Sequence, residues 1–320
     1  LDYRDWQAGE IPRTDTMILF TLDPITYSAG MLSIPRDMWV NIPGFGHGKI
    51  NTAYFLGEGN RLPGGGPGLA VATVEEFLGV PIHFYAQIDF QAFVRFIDEI
   101  GGLKVRVEEE IEIDPVGPEN TIVLEPGVYT LDGALTLAYA RARNTEGGDF
   151  DRAKRQQEMI MALLDRILNY YSLPKLVGKA PTLYQTLSGG IRTNLNLQQT
   201  IKLAWTVSRI PSPAENIKQA TIGTDHVSFG TSPDGLFILK PIPNEIRLLR
   251  DEIFTDSGAI SPSAANLDPA QAIQAENARV AVLNGSYTPG IAARSTDYLG
   301  SLGVNITQTD NSEKVATVSY

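Results

Sequence analysis

The side chains best suited to chemistry lie in ARARNTEGGDFDRAKRQQ, residues 140–157. Arg141, Arg143, Arg152, Lys154 and Arg155 crowd this one segment of a chain in which 37 acidic residues outnumber 26 Lys and Arg, for a net charge of -11. Arg141 and Arg143 are two apart, so an extended backbone sends both to the same side. After Gly147-Gly148, Asp149 is placed to cap a helix whose first turn carries Arg152. Arg152, Arg155 and Gln156 recur at helical spacings and share one face, which Lys154 does not. Guanidinium groups beside a helix N-terminus suit a phosphate or pyrophosphate. The competing reading is a solvated charged loop ahead of an ordinary amphipathic helix.

A second group of the same character lies near the start of the chain. TMILFTL (16–22) and AGMLSI (29–34) read as two strands joined across the Asp23-Pro24 turn. An antiparallel hairpin brings the start of one strand beside the end of the other. Arg13 and Asp15 then meet Arg36 and Asp37, either as a structural salt-bridge cluster or as an anion clamp with carboxylates for a metal. Lys49 closes the glycine-rich loop NIPGFGHGKI (41–50), as a snorkelling side chain or another phosphate contact. Asp149 and Asp151 read as cap and helix-dipole residues.

The elements that must hold these groups alternate. Asn51 opens a short helical piece. GEGNRLPGGGPG (57–68) reads as a mobile surface loop or a lid, and it lacks the Lys-Ser/Thr of a P-loop. Helix 68–79, strand 83–89, helix 90–102 and strand 103–108 follow, then a short strand in EPGVYT, helix 131–140 and the long helix from Asp149. Helices are expected at 173–188, 197–209 and 243–254, with strands at 218–223 and 235–240. The fold class is α/β: a central mixed sheet with helices on both faces. Phe84, Phe90, Phe93 and Phe96 are dense enough to be a core or to line a lipid cavity. Residues 1–254 form the main domain and 255–278 a Ser/Ala/Pro/Asp-rich linker. Residues 279–320 form a small α/β unit of strand, helix and the strands VNITQT and KVATVSY.

Composition narrows the function classes. Hydrophobic content of 43% is that of a globular protein with a sizeable core. The chain contains no cysteine, which excludes disulfides, thiolate metal sites and a cysteine nucleophile. Its acidity argues against nucleic acid as a partner, since phosphate backbones demand basic surface. No apolar run of about 18 residues occurs, so no transmembrane span is expected within it. It starts at Leu1 without an initiator Met or signal peptide.

The motifs RTDT (13–16), IPRD (34–37), GKINTAY (48–54), IDEIGGLKV (97–105), LDGALTLAYARAR (131–143) and DRAKRQQ (151–157) together resemble the LytR-CpsA-Psr family of bacterial cell-wall glycopolymer transferases. The resemblance covers residues 1 to about 255, and 279–320 looks like part of that family's optional C-terminal domain. It implies an enzyme on the outer face of the bacterial cytoplasmic membrane, anchored by an upstream helix, of which this chain is the extracellular portion. The implied reaction moves a glycan with its proximal phosphate from a polyprenyl pyrophosphate to a peptidoglycan hydroxyl. By motif, Arg13, Arg36, Arg141, Arg143, Arg152 and Gln156 hold the pyrophosphate, with Lys49 and Arg155 as further contacts. Asp15 is expected to bind Mg²⁺, helped by Asp2. Asp37 is the candidate base, though an Arg-paired carboxylate is a poor one and orienting Arg36 is its better role. The four phenylalanines are then candidates for a lipid tunnel. The alternatives are a polyprenyl-pyrophosphate pyrophosphatase, a non-catalytic prenyl-glycan binding module and a DNA-touching transcription attenuator.

Overall fold

The computed structural model describes residues 11–115, 120–168, 189–254, 279–286, 288–301 and 303–312. At its centre is a mixed sheet. β1 (Met17–Asp23) and β2 (Ser28–Ile34) form the expected antiparallel hairpin, with Met17 opposite Ile34. β11 (Ile217–Thr221) lies parallel to β2 on its other side. Side chains alternate across β2. Leu32 and Ile34 pack with Leu249 and Ile253 of α8 (Pro243–Phe254). Met31 joins Ile160 and Leu164 of α5 (Asp149–Leu168) on the opposite face. Gly30 lets α8 approach, because a Cβ there would meet Ile253 Cγ2 at 2.8 Å. Helices thus cover both faces, as the alternating pattern predicts.

Short ladders surround this sheet. β3 (Trp39–Ile42) pairs with β4 (Gly46–Lys49), and β6 (Leu103–Val107) with β9 (Gly127–Leu131). β7 (Ile111–Ile113) pairs with β8 (Ile122–Leu124), β5 (Ala86–Ile88) with β10 (Ile191–Thr193), and β12 (Val227–Thr231) with β13 (Phe237–Pro241). The β3–β4 hairpin replaces the loop expected over 41–50. Gly44 (φ 81°) and Gly46 (φ 75°) supply the left-handed backbone its turn needs. The strand expected over 83–89 shrinks to three residues, and β7, β8 and β10 are too short to announce themselves in sequence.

The helices that matter for the site are α1 (Thr52–Gly59), α2 (Gly65–Leu78), α3 (Phe90–Glu99), α4 (Gly133–Arg141), α5 and α6 (Leu197–Val207). Asp89, Asp132 and Asn196 cap three of them, accepting from Ala92 N at 2.6 Å, Leu135 N at 2.9 Å and Gln199 N at 2.8 Å. The glycines of 57–68 correct the expectation of a mobile loop or lid. They let α1 and α2 touch: a Cβ on Gly57 would lie 2.5 Å from Gly65 O and 2.9 Å from Gly66 Cα. α7 (Pro213–Asn216) leads into β11.

The chain divides into two compact units, Leu1–Asp256 and Ser257–Tyr320. In the second, β14 (Arg279–Asn284) runs parallel to β15 (Asn305–Asn311), with α9 (Ile291–Ser301) between them in sequence. The helix expected at 173–188, the linker 255–278 and the strand KVATVSY lie outside the described residues.

Candidate active site

The hairpin and the α4–α5 connection bring their charges together. Asp15, just before β1, accepts from Arg36 Nη1 at 2.7 Å, just after β2. Arg36 Nε lies 3.6 Å from Asp37 Oδ2 and 3.8 Å from Asp149 Oδ2. Asp149, in the first turn of α5, also pairs with Arg143 Nε at 3.0 Å and Arg152 Nη1 at 3.3 Å. One carboxylate therefore organises three arginines drawn from three chain segments. Asp149 is the first residue inside α5 rather than its cap, which corrects the cap reading; its place in the first turn keeps the dipole role, and its spacing from Arg143 and Arg152 was the only local signal of the clamp.

Arg152 is 5% exposed, yet its Nε has no hydrogen-bond partner among the described residues. Burial pulls its pKa down to about 10; Asp149 opposes this, while Arg143 and Arg36 add to it. Burial also works against the Arg36 cation, but the hydrogen bond to Asp15 and the charges of Asp37, Asp15 and Asp149 outweigh it and raise its pKa. Arg36 Nε is likewise buried without an acceptor.

Arg36, Arg141, Arg143, Arg152, Asp15 and Gln156 all line one cavity of about 1770 Å³. The rest of its wall is largely apolar and includes Phe84, Phe90, Phe93 and Phe96. Arg141 stacks over Phe90, with its guanidinium carbon 5.4 Å from the ring centroid. Arg141 is the last residue of α4 rather than part of an extended run, because the helix persists to its cap at Ala142.

Among the described residues, four expected site residues, Arg13, Asp37, Lys49 and Arg155, stand outside this lining. Arg13 is exposed and sits over Phe55 of α1 at 5.8 Å, since the chain at Arg13 has not yet entered β1. Lys49, at the end of β4, is paired to Asp37 at 2.7 Å. Asp37 thus orients Arg36 and Lys49. Arg155 turns to the α4–α5 connection, donating from Nη2 to Ala142 O and from Nη1 to Thr145 Oγ1 at 3.2 Å. Asp2 lies outside the described residues.

The RQQ triplet of α5 explains how the arginines are held. Gln156 Nε2 donates to Ala140 O at 3.0 Å, so Gln156 and Arg155 both satisfy carbonyls at the C-terminus of α4. Gln157 donates to Ser33 Oγ at 2.8 Å and Ala220 O at 2.6 Å, pinning α5 to β2 and the β11 strand. Gln157 went unnoticed in sequence, although it adjoins the predicted face.

No group of three or more His, Asp or Glu suited to a metal occurs among the described residues. Mg²⁺ seldom needs such a cage, binding through one or two carboxylates plus substrate phosphates. Asp15, on the cavity wall, and Asp149, joined to it through Arg36, fit that mode.

Residues 1–240 match the LytR_cpsA_psr family. The chain belongs to this family. Residues 277–320 match a second family, the LytR cell envelope-related transcriptional attenuator. Among LytR-CpsA-Psr relatives, polyisoprenyl-teichoic acid–peptidoglycan teichoic acid transferase TagT of Bacillus subtilis is 31% identical over 248 residues, 77% of this chain and 70% of TagT. The TagU transferase of Oceanobacillus iheyensis is 36% identical over 196 residues, covering 61% of this chain but only 58% of TagU. The crystal structure of B. subtilis TagV aligns with a TM-score of 0.61 at 29% identity, over 75% of this chain and 88% of TagV. TagT bound to LIIa-WTA aligns at 0.59 and 27% identity, over 75% and 84% of the two chains. The mixed α/β fold is the one these structures share.

Proposed function

We propose that this LytR-CpsA-Psr chain is a Mg²⁺-dependent phosphotransferase. It moves a glycopolymer with its proximal phosphate from a polyprenyl-pyrophosphate carrier to a peptidoglycan hydroxyl and releases polyprenyl phosphate. The observation that carries this reading is the buried Arg152, with an unpartnered N–H, on the wall of a cavity otherwise mostly apolar. A ligand for such a site joins an anionic head to a long apolar tail. The five cations Arg36, Lys49, Arg141, Arg143 and Arg152 against the three carboxylates Asp15, Asp37 and Asp149 leave two uncompensated positive charges. A pyrophosphate esterified at both ends carries two negative charges and neutralises them.

In the proposed reaction the acceptor hydroxyl oxygen bonds to the glycan-side phosphorus as that atom's bond to the bridging oxygen breaks, and the hydroxyl proton passes to the departing phosphate or to water. Charge then accumulates on the polyprenyl phosphate, where Arg36, Arg141, Arg143 and Arg152 hold it. Gln156 adds an amide at the same wall, Asp37 orients Arg36, and Phe84, Phe90, Phe93 and Phe96 receive the prenyl chain. Asp15 would hold Mg²⁺, which when bound would supply further charge neutralisation as the leaving phosphate develops its charge. Arg13, Lys49 and Arg155 belong to the support of the site, while Asp2 stays a candidate second metal ligand. The polyprenyl carrier and the peptidoglycan acceptor place the reaction at the outer face of the cytoplasmic membrane, with an anchoring helix upstream. The transferase names of TagT and TagU support the reading.

The test is incubation with a lipid-linked glycan, Mg²⁺ and a peptidoglycan acceptor. Phosphodiester-linked product is expected. Free glycan phosphate in its place would make the chain a pyrophosphatase, and binding without turnover a prenyl-glycan binding module.

A further inference from the structure

We infer that α6 and the β1–β2 turn form an interfacial docking face that seats the apolar side of the cavity on an anionic bilayer surface. α6 is apolar on two sides. Leu203 and Val207 line the cavity, whereas Ile201 and Trp205 project outward, 59% and 62% exposed. Beside them the β1–β2 turn presents Ile25, 85% exposed. Arg209 ties the two pieces together. Its guanidinium lies 4.9 Å from the Trp205 ring and 5.8 Å from the Tyr27 ring, and Nη1 donates to the Tyr27 hydroxyl at 2.9 Å. Tyr27 holds a left-handed backbone (φ 53°), a conformation an aromatic residue keeps only where its surroundings enforce it.

Charge selects the occupant. In a chain of net charge -11, α6 and the segment that follows it, residues 197–212, contain Lys202 and Arg209 and no Asp or Glu, the next acidic residue being Glu215. Asp23, at the edge of the turn, accepts from the turn's own Ile25 and Thr26 amides. Exposed Trp and Ile with Tyr, Lys and Arg around them is the composition of a membrane–water interface, and cations there favour anionic lipid. The patch is also continuous with the cavity: Phe20 and Leu22 of β1 line it, and Phe20 is itself 55% exposed. A prenyl chain could then pass from bilayer to cavity without crossing water. That last step rests on the proposed transferase reading; the patch itself does not.

The test is co-sedimentation of the whole chain with vesicles of phosphatidylcholine alone or with about one-third phosphatidylglycerol. Binding to the anionic vesicles is expected to be tenfold or more the stronger. Replacing Ile25, Ile201 and Trp205 together by Ser is expected to weaken it at least tenfold, with the melting temperature and turnover of detergent-solubilised donor unchanged. The Lys202→Gln/Arg209→Gln pair is expected to erase the preference for anionic lipid, roughly fivefold per cation. The inference is overturned by an unaltered chain that binds neither vesicle, by a triple variant that binds as well as the parent, or by the same residues mediating self-association in the absence of lipid. Should vesicle binding follow the pattern while donor is never turned over, the docking face stands and the transferase reading falls.

Discussion

Arg152 is the residue on which the proposed chemistry turns, because its charge is held where solvent is scarce. Its pKa, lowered to about 10, means that the fold disfavours the cation; below that pH the cost is present, and it fades only as pH rises above it. A bound anion relieves that cost. Inorganic pyrophosphate at a hundredfold its dissociation constant is therefore expected to raise the melting temperature by roughly 5–10 °C. Arg152→Met should melt close to the parent without ligand, since the desolvation cost of the cation is gone while Asp149 keeps Arg36 and Arg143 as partners, and should lose most of the shift. Scanning calorimetry decides this, and an equal shift in the variant removes Arg152 from the anion site. Asp15 carries a separate prediction. Chelation is expected to abolish transfer and Mg²⁺ to restore it, while Asp15→Asn should need at least tenfold more Mg²⁺ for half-maximal rate. An unchanged Mg²⁺ requirement in that variant sinks the metal assignment.

At the scale of elements, the site depends on α5 clamping the end of α4. Arg155 gives its donors to Ala142 O and Thr145 Oγ1, fixing the connection that carries Arg143. Arg155→Met leaves the half-buried Ala142 carbonyl without this partner and is expected to cost about 1 kcal/mol. It should lower kcat tenfold or more with little change in KM, whereas loss of a direct phosphate ligand would move both. Arg155→Lys, which restores one donor, should recover part of the rate. Much of this arrangement was legible in sequence. The β1–β2 hairpin, the helix–strand alternation and the spacing of Arg152 and Gln156 are local signals that tertiary packing reinforced. What was hidden is long-range: that Asp149 serves three arginines, that Gln157 reaches β2 and β11, and that Arg13 turns to Phe55. The glycines of 57–68 misled for the same reason, since their purpose is contact between helices rather than freedom. Gly57→Ala tests that, with an expected loss of about 1–3 kcal/mol in chemical unfolding; a neutral result would make the α1–α2 approach incidental.

Across the whole molecule, the division of labour is uneven. The cavity lining and the principal core clusters draw on residues up to Phe254, all within the unit that ends at Asp256. The second unit contributes buried Ala292 and Asn284, the latter accepting from Ser286 N at 2.9 Å and donating to Thr288 O at 3.0 Å. Its strand–helix–strand pattern was readable in sequence, but no chemical constellation was. A chain ending at Asp256 therefore retains every arginine, carboxylate and phenylalanine assigned to donor binding. Its main unfolding transition is expected to match that of the full chain within about 1 kcal/mol, because the four core clusters lie wholly within the first unit. Its rate with a small soluble acceptor should stay within about twofold. Transfer to intact peptidoglycan is the discriminating measurement: a selective loss there assigns the second unit to the acceptor, whereas a collapse of donor turnover in the truncated chain would mean that the catalytic unit depends on it.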